Sequence, residues 1–245
     1  MPIVPLSVLT AVDFGDASGR AVEVAGLIAD RCGAATLRLL HAETTDAPVY
    51  FTHDQIEALE RQRQAMRAQA EHFLAQFGRK HTRHPLTAVV AEAAPSDAIL
   101  HEAMTSDLVA MGTHGRHGPK RWWLGSVAEH VLREVRQPLL IVRADLPAPV
   151  ESLFSRVLVH AAAPLAGAST LEYARQLTAC FGGDVIDGRN QPIEPALAAE
   201  RATLLIVAAP LPRTSAWLAD YGEPLVRFST VPILFVPETS QGASS

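Results

Sequence analysis

Short apolar runs alternate with stretches of helical spacing from the start of the chain. Val8 to Val12 is a compact apolar run that ends in Asp13-Phe14-Gly15, the pattern of a buried strand closed by a turn. Asp16 or Ser18 then offers a cap for a helix reaching about Arg31. Its apolar positions Ala21, Val24, Ala25, Ile28 and Cys32 follow helical spacing, and Gly33 suits its C-terminal stop. Thr36 to Leu40 reads as a second strand. Gln55 to Phe77 reads as a long helix, with Ile56, Leu59, Met66, Ala70, Phe73 and Phe77 on one face. Leu86 to Val90 is a third strand, Pro95-Ser96-Asp97 starts a helix through Met104, and Leu108 to Met111 is a fourth strand. Ser126 to Val135 is a helix with Val127, Val131 and Val135 inward, and Leu139 to Val142 is a fifth strand. Strands alternating with helices predict an α/β fold of parallel βαβ units. Crossovers are right-handed and ligands sit outside the strand C-termini.

The pattern then restarts after a linker around Pro147 and Pro149. Arg156 to Val159 echoes the first strand, Ser169 to Cys180 the first helix, Leu204 to Val207 the fourth strand, and Val231-Pro232 to Val236 the run Gln137-Pro138 to Val142. The second copy is shorter. About 100 residues separate Val8 from Leu108, but only about 47 separate Val157 from Leu204, so one strand and one helix are missing between Gly183 and Pro195. The expected division is a first domain over 1–145, a shortened second copy over 154–238, and a Ser- and Gly-rich disordered tail over 239–245.

Composition narrows the partners. The net charge is −5 with no long basic run, which argues against nucleic acid. No apolar stretch approaches the roughly 20 residues of a membrane span, which argues against a membrane partner. Met1 to Val12 lacks a charged n-region and reads as strand rather than signal peptide, so the expected location is cytoplasmic. Cys32 and Cys180 lie far apart in sequence without metal-ligand spacing; they are expected to be core thiols with no redox role.

The segment that carries chemistry runs from Met111 to Val127. It leaves a strand, makes a Gly-rich loop and enters a helix. Gly112 and Gly115 are expected to let the backbone approach a ligand and to take positive φ. Gly125 and Ser126 stand at the helix start, where the N–H groups of Ser126 and Val127 and the helix dipole favour an anion. Arg116, Lys120 and Arg121 raise the local positive potential. Together these describe a polyphosphate cradle. The Walker pattern and the dinucleotide Gly-x-Gly-x-x-Gly pattern after the first strand are both absent from the sequence.

This segment resembles the Gly-x2-Gly-x9-Gly-Ser/Thr signature of ATP-binding universal stress proteins, with Gly112, Gly115, Gly125 and Ser126 in the fixed positions. Val12-Asp13-Phe14 is similar to the family's first-strand end, where a small residue or Pro stands in place of Ala11. The resemblance is strong over the first half and weak over the second. It implies an open parallel five-stranded sheet of order 3-2-1-4-5 in an adenine nucleotide α-hydrolase-like, Rossmann-type fold, repeated in tandem with a truncated second copy. It implies ATP as ligand, with Ala11, Val12, Asp13 and the backbone of Ala42 around the adenine. The ribose would lie near Asp13 and Gly112, the phosphates on Gly115, Gly125, Ser126 and Val127, and Met111 would be a further contact of the nucleotide. Any Mg²⁺ would ride on the phosphates, with Asp13 as a candidate ligand. The resemblance also implies pairing of the two copies through their last strands, a homodimer, and a protein partner that the sequence does not name. Catalysis is not expected beyond slow ATP hydrolysis, since no nucleophile–base arrangement can be read.

The second copy departs from the pattern. Aligning Pro232 with Pro138 sets Ala219 and Asp220 opposite Gly125 and Ser126, and aligning Leu204 with Leu108 sets Ala208 and Leu211 opposite Gly112 and Gly115. A carboxylate at the anion position repels phosphate and offers no donor. Asp13 aligns with Ala161 or Ala162. The second copy is therefore expected to be a packing partner without nucleotide. The remaining candidates have plainer readings. His114 and His117 have a spacing that metals use, but without a nearby Cys or carboxylate. His81 and His84 read as solvated surface, Trp122 and Trp123 as packing residues, and Asp13 as either a turn cap or a ligand contact.

Overall fold

A computed structural model describes residues 7–44, 53–113, 125–145, 149–161, 167–189 and 191–239. Five strands of the first half, β1 (Ser7–Ala11), β2 (Thr36–Ala42), β3 (Thr87–Ala91), β4 (Leu108–Thr113) and β5 (Leu139–Arg143), alternate with α1 (Asp16–Cys32), α2 (His53–His81), α3 (Pro95–Ala103) and α4 (Ser126–Glu134). The second half supplies β6 (Arg156–His160), α5 (Ala168–Ala179), β7 (Asp184–Asp187), α6 (Ile193–Ala199), β8 (Leu204–Leu211) and β9 (Ile233–Thr239). A helical run precedes β9, made of α7 (Ser215–Trp217), a π-helical turn (Leu218–Gly222) and α8 (Glu223–Phe228).

All nine strands form one sheet of order β3-β2-β1-β4-β5-β9-β8-β6-β7. The first five follow the order 3-2-1-4-5, all parallel. Reading outward from β9, the second half repeats that arrangement without the counterparts of α2 and β3. This is the deletion that the shorter spacing predicted. The halves join where β5 meets β9, the antiparallel pair in the sheet, with Leu139 opposite Phe235, Leu140 opposite Leu234 and Ile141 opposite Ile233. These six side chains are at most 2% exposed, so the seam is as dry as any strand pair within a half.

The alternating pleat sends successive side chains to opposite faces, and each face carries one apolar core that runs through both halves. One core joins Val8, Ile28 and Leu37 to Val157, Leu177 and Leu234 beneath α1, α2 and α5. The other joins Leu9, Ile99 and Val131 to Leu205, Val226 and Phe235 beneath α3, α4, α6 and α8. Two arginines clip the halves at helix C-termini, where exposed carbonyls favour a cation. Arg213 is buried, and its Nη1 donates to the carbonyls of Leu132 and Val135 at 2.7 Å each, at the end of α4. Arg143 reaches the other way and donates to the Ser229 carbonyl at the end of α8.

Several local expectations change. Neither Asp16 nor Ser18 caps α1; the N-cap is Gly15, whose carbonyl accepts from the Ser18 hydroxyl at 2.9 Å. The inward face of α2 centres on Leu74 with Ala70 and Phe77 beside it, whereas Met66 and Phe73 are more than half exposed. Phe73, one residue round the helix from Leu74, turns from the sheet and meets the ring of Phe14, with centroids 5.0 Å apart. His84 is not simply solvated, since its Nδ1 lies 2.6 Å from Asp30 Oδ1. The cysteines also differ from expectation, since both are half-buried rather than buried. The disordered tail expected over 239–245 lies outside the described residues except for Thr239, which ends β9. No helix among the described residues is long and apolar enough to cross a membrane.

Candidate functional site

The chain leaves β1 toward one face of the sheet and enters β4 from the other. The β1–β4 boundary is therefore the point where the winding reverses, and a crevice opens beyond the strand ends there. In this molecule the crevice is a cleft of about 880 Å³. Its floor is made by the ends of three adjacent strands: Ala11 from β1, Leu40 to Ala42 from β2, and Met111 to Thr113 from β4. Pro95 and Ile99 of α3 form one wall, and Gly125 to Ala128, where α4 begins, form another.

One end of the cleft suits an anion. Gly125 is the N-cap of α4, with extended backbone (φ −61°, ψ 152°) and no side chain to cap the helix. The first intrahelical bond runs from the Glu129 N–H to the Gly125 carbonyl at 2.9 Å. The N–H groups of Ser126, Val127 and Ala128 therefore have no acceptor within the helix, and the positive end of the dipole faces the cleft. A Cβ on Gly125 would meet no described atom within 4 Å. Among the described residues nothing in the packing requires glycine here.

Gly112 is glycine for another reason. It does not take the positive φ expected of it, and it sits within β4. A Cβ there would come within 2.5 Å of the Ser18 nitrogen and 2.6 Å of the Ala17 carbonyl oxygen. Its small size lets the first turn of α1 close down onto β4, which brings Ser18 to the cleft wall.

The opposite corner is built from the turn after β1. The Val12 N–H donates to the Leu40 carbonyl at 2.8 Å, and Asp13 Oδ1 accepts from the Gly15 N–H at 2.9 Å. Asp13 thus caps the turn, and this exposed residue also lines the cleft. Phe14 takes a left-handed conformation (φ 62°), uncommon for a bulky residue. Aromatic contacts hold it there: ring centroids of His41, Phe73 and Phe77 lie 4.6, 5.0 and 5.4 Å away. His41 is fixed at both nitrogens, with Nδ1 2.8 Å from the Val12 carbonyl oxygen and Nε2 3.0 Å from Glu43 Oε1.

The structure brings Ala11, Val12, Asp13, Ala42, Met111, Gly112, Gly125, Ser126 and Val127 together around this cleft. Gly115, the loop cations Arg116, Lys120 and Arg121, the pair His114 and His117, and Trp122 with Trp123 lie outside the described residues. Sequence reasoning missed Ser18, Leu40, His41, Pro95 and Ile99 as lining residues. The rule that ligands sit beyond strand C-termini could have found Leu40 and His41. The two on α3 carried no signal beyond their helical pattern. Among the described residues no cluster of three metal-ligating side chains occurs, so a divalent ion here would depend on Asp13 and on oxygens brought by a ligand.

The corresponding region of the second half is filled. Strand register equates Val157 with Val8 and Leu204 with Leu108, which places His160 where Ala11 stands and Ala208 where Gly112 stands. The counterpart of Asp13 is then Ala162, outside the described residues. Thr214 caps a helical run that begins at Ser215, and Ala219 and Asp220 lie inside its π-helical turn. Interior helix residues have their N–H groups already bonded, so Ala219 and Asp220 do not stand at a free helix start as Gly125 and Ser126 do. Tyr221 stacks over His160 with centroids 6.0 Å apart, and Trp217 packs edge-on to Phe235 at 6.1 Å.

Burial holds the His160 imidazole below its ordinary value, against an opposing pull from hydrogen bonds to the Gly188 and Gln191 backbone. As pH falls, the unfolded chain takes up this proton first, from about pH 6.5, while the folded chain stays neutral. Stability is therefore lost from that point down to the depressed folded value. The expected result is a wild-type melting temperature that falls on acidification from about pH 7.5 to 5.5 more steeply than that of His160→Phe. Parallel pH profiles would show that residue 160 makes no such contribution.

A family model described as the universal stress protein family matches residues 7–143 of this chain. No curated protein matches it by sequence. Among solved structures, a universal stress protein from Archaeoglobus fulgidus DSM 4304 superposes with a TM-score of 0.63 at 19% identity, covering 94% of this chain and 98% of its own. A functionally unknown protein from Pseudomonas aeruginosa PAO1 superposes with a TM-score of 0.61 at 13% identity, covering 96% of this chain and 93% of its own. At these identities the likeness speaks to fold across both halves of the chain.

Proposed function

The chain belongs to the universal stress protein family, and from that premise we propose that it is a regulatory protein binding one adenine nucleotide, ATP with Mg²⁺, in the cleft between β1 and β4. The observation that carries this reading is the uncapped start of α4 at Gly125 and Ser126, facing a cleft otherwise lined mainly by apolar side chains and strand-end backbone. A phosphate chain suits the first element and a flat base the second. The cleft volume, about 880 Å³, lies within the range of small-molecule sites. Ser126 would add its hydroxyl to the backbone donors, Leu40, Met111 and Ile99 would flank the base, and Asp13 would face the ribose or a phosphate-borne Mg²⁺.

Binding without turnover is the reading that fits these side chains. The ring nitrogens of His41 are both engaged, and Asp13 shares its carboxylate with the turn that follows. Neither is poised as a base for an attacking water. The second half acts as a packing partner within the chain, and signalling follows from ligand-dependent ordering near α4 in a cytoplasmic protein that pairs with a second copy and with a protein partner. Calorimetric titration with ATP and Mg²⁺ should saturate at one site per chain, with no ADP accumulating. Steady ADP release in proportion to protein would contradict the non-enzymatic part, and two equivalents bound per chain would contradict the silent second half.

A further inference from the structure

We propose that Arg213 is a positioning residue for the phosphate end of the cleft, so that the second half of the chain sets the affinity of a nucleotide bound in the first. The proposal rests on the nucleotide reading above and gives a role in it to the half that binds no ligand. α4 spans only nine residues, and no side chain caps its start at Gly125. A helix this short is marginal by itself and takes its order from what packs against it. Its inward residues Ala128, Val131 and Leu132 share a core with Leu205, Val226 and Phe235 of the second half. At its far end, Arg213 Nη1 donates at 2.7 Å to the carbonyls of both Leu132, in the last turn, and Val135, the C-cap. The N–H groups proposed to hold phosphate and the carbonyls that Arg213 holds are thus the two ends of one helix.

The charge of Arg213 matters as well as its reach. The residue is 4% exposed, and among the described residues its Nε and Nη2 have no hydrogen-bond partner and no carboxylate pairs with it. Burial pulls the guanidinium down to about 10, which leaves it charged at neutral pH. Arg143, the other clip between the halves, differs, since its Nη2 lies 2.8 Å from Asp145 Oδ2. A buried cation without a counter-ion costs stability, and a neutral donor could satisfy the same carbonyls. What the charge adds is potential. It offsets the negative end of the α4 dipole, so the helix presents a more positive field to an anion at its start, roughly 13 Å away for nine residues at about 1.5 Å each. At that separation and an effective dielectric of about 20, with screening by salt, this charge changes the affinity for ATP with Mg²⁺ about tenfold.

The test uses the full chain. Hydrogen exchange of the wild type, read by mass spectrometry with and without ATP and Mg²⁺, is expected to slow in α4 and also in residues 214–228, the helical run that follows Arg213, because coupling between ligand and clip is reciprocal. Calorimetric titration then compares two variants. Arg213→Met keeps an apolar stem and is expected to bind ATP about tenfold more weakly, while adenosine, which carries no phosphate, binds as it does to the wild type. Arg213→Lys is expected to recover most of the ATP affinity, since both bonds run from one nitrogen and a point charge can replace it. A folded Arg213→Met that binds ATP like the wild type, or that loses ATP and adenosine alike, would overturn the proposal and leave the nucleotide reading in place. So would an Arg213→Lys that binds ATP no better than Arg213→Met. Wild-type protection confined to the first half would also overturn it, and that measurement decides the question even if Arg213→Met unfolds. A wild type that takes up no ATP would overturn the nucleotide reading and this proposal together.

Discussion

Gly125→Asp is expected to weaken adenine nucleotide binding by at least about 100-fold while leaving the melting temperature unchanged or slightly higher, because the loss of charge-assisted hydrogen bonds and the added repulsion together exceed ~3 kcal/mol. The two effects part because, among the described residues, nothing lies within 4 Å of a Cβ there. Its backbone, at φ −61° and ψ 152°, is the extended conformation of a helix N-cap, where aspartate is among the favoured residues. The new carboxylate would accept from the N–H groups at the start of α4 and occupy with its own charge the place proposed for phosphate. Titration calorimetry alongside thermal denaturation checks both halves of the expectation. A variant that binds like the wild type would remove α4 from the site. One that loses binding only because it unfolds would make Gly125 a structural residue instead.

Gly112→Ala should show the reverse pattern, a loss of stability of about 3 kcal/mol that precedes any effect on ligand. Its added methyl group would be driven into the backbone of Ala17 and Ser18, atoms that cannot rotate aside. Either α1 lifts from β4 or the strand bends, and both distort the Ser18 wall of the cleft. The second half offers an internal comparison, since Ala208 stands at the equivalent strand position and is fully buried without a special backbone conformation. Urea unfolding midpoints measure the difference. A Gly112→Ala midpoint within error of wild type would show that α1 and β4 are not as closely apposed as described.

These two glycines show how far the sequence could be read. Both occupy fixed positions of one motif, and spacing alone gave them one purpose. The structure divides it: Gly112 is small so that a helix can approach, whereas nothing in the packing of the described residues requires glycine at position 125. A spacing pattern records where side chains are absent but not what stands opposite.

The strands were legible because parallel strands buried on both faces read as continuous apolar runs, as at Leu108 to Met111 and Leu139 to Val142. The long helix was misjudged in its face, since Met66 and Phe73 keep helical spacing yet stay more than half exposed while Leu74 is buried. The anion end of the cleft was legible because backbone N–H groups at a helix start need only the start to be located. Ile99 was not, since an apolar helix residue lining a cleft looks like any core residue. In the second half, alignment exposed the Asp220 substitution but not the earlier helix start at Ser215, nor the aromatic filling by Trp217 and Tyr221.

The most direct test of the account is to denature freshly purified protein and identify what it releases by chromatography and mass spectrometry. Adenine nucleotide at about one equivalent per chain, absent from the Gly125→Asp variant, is the predicted result. No released nucleotide, together with no uptake of added ATP and Mg²⁺, would contradict it and leave the cleft between β1 and β4 without its proposed ligand.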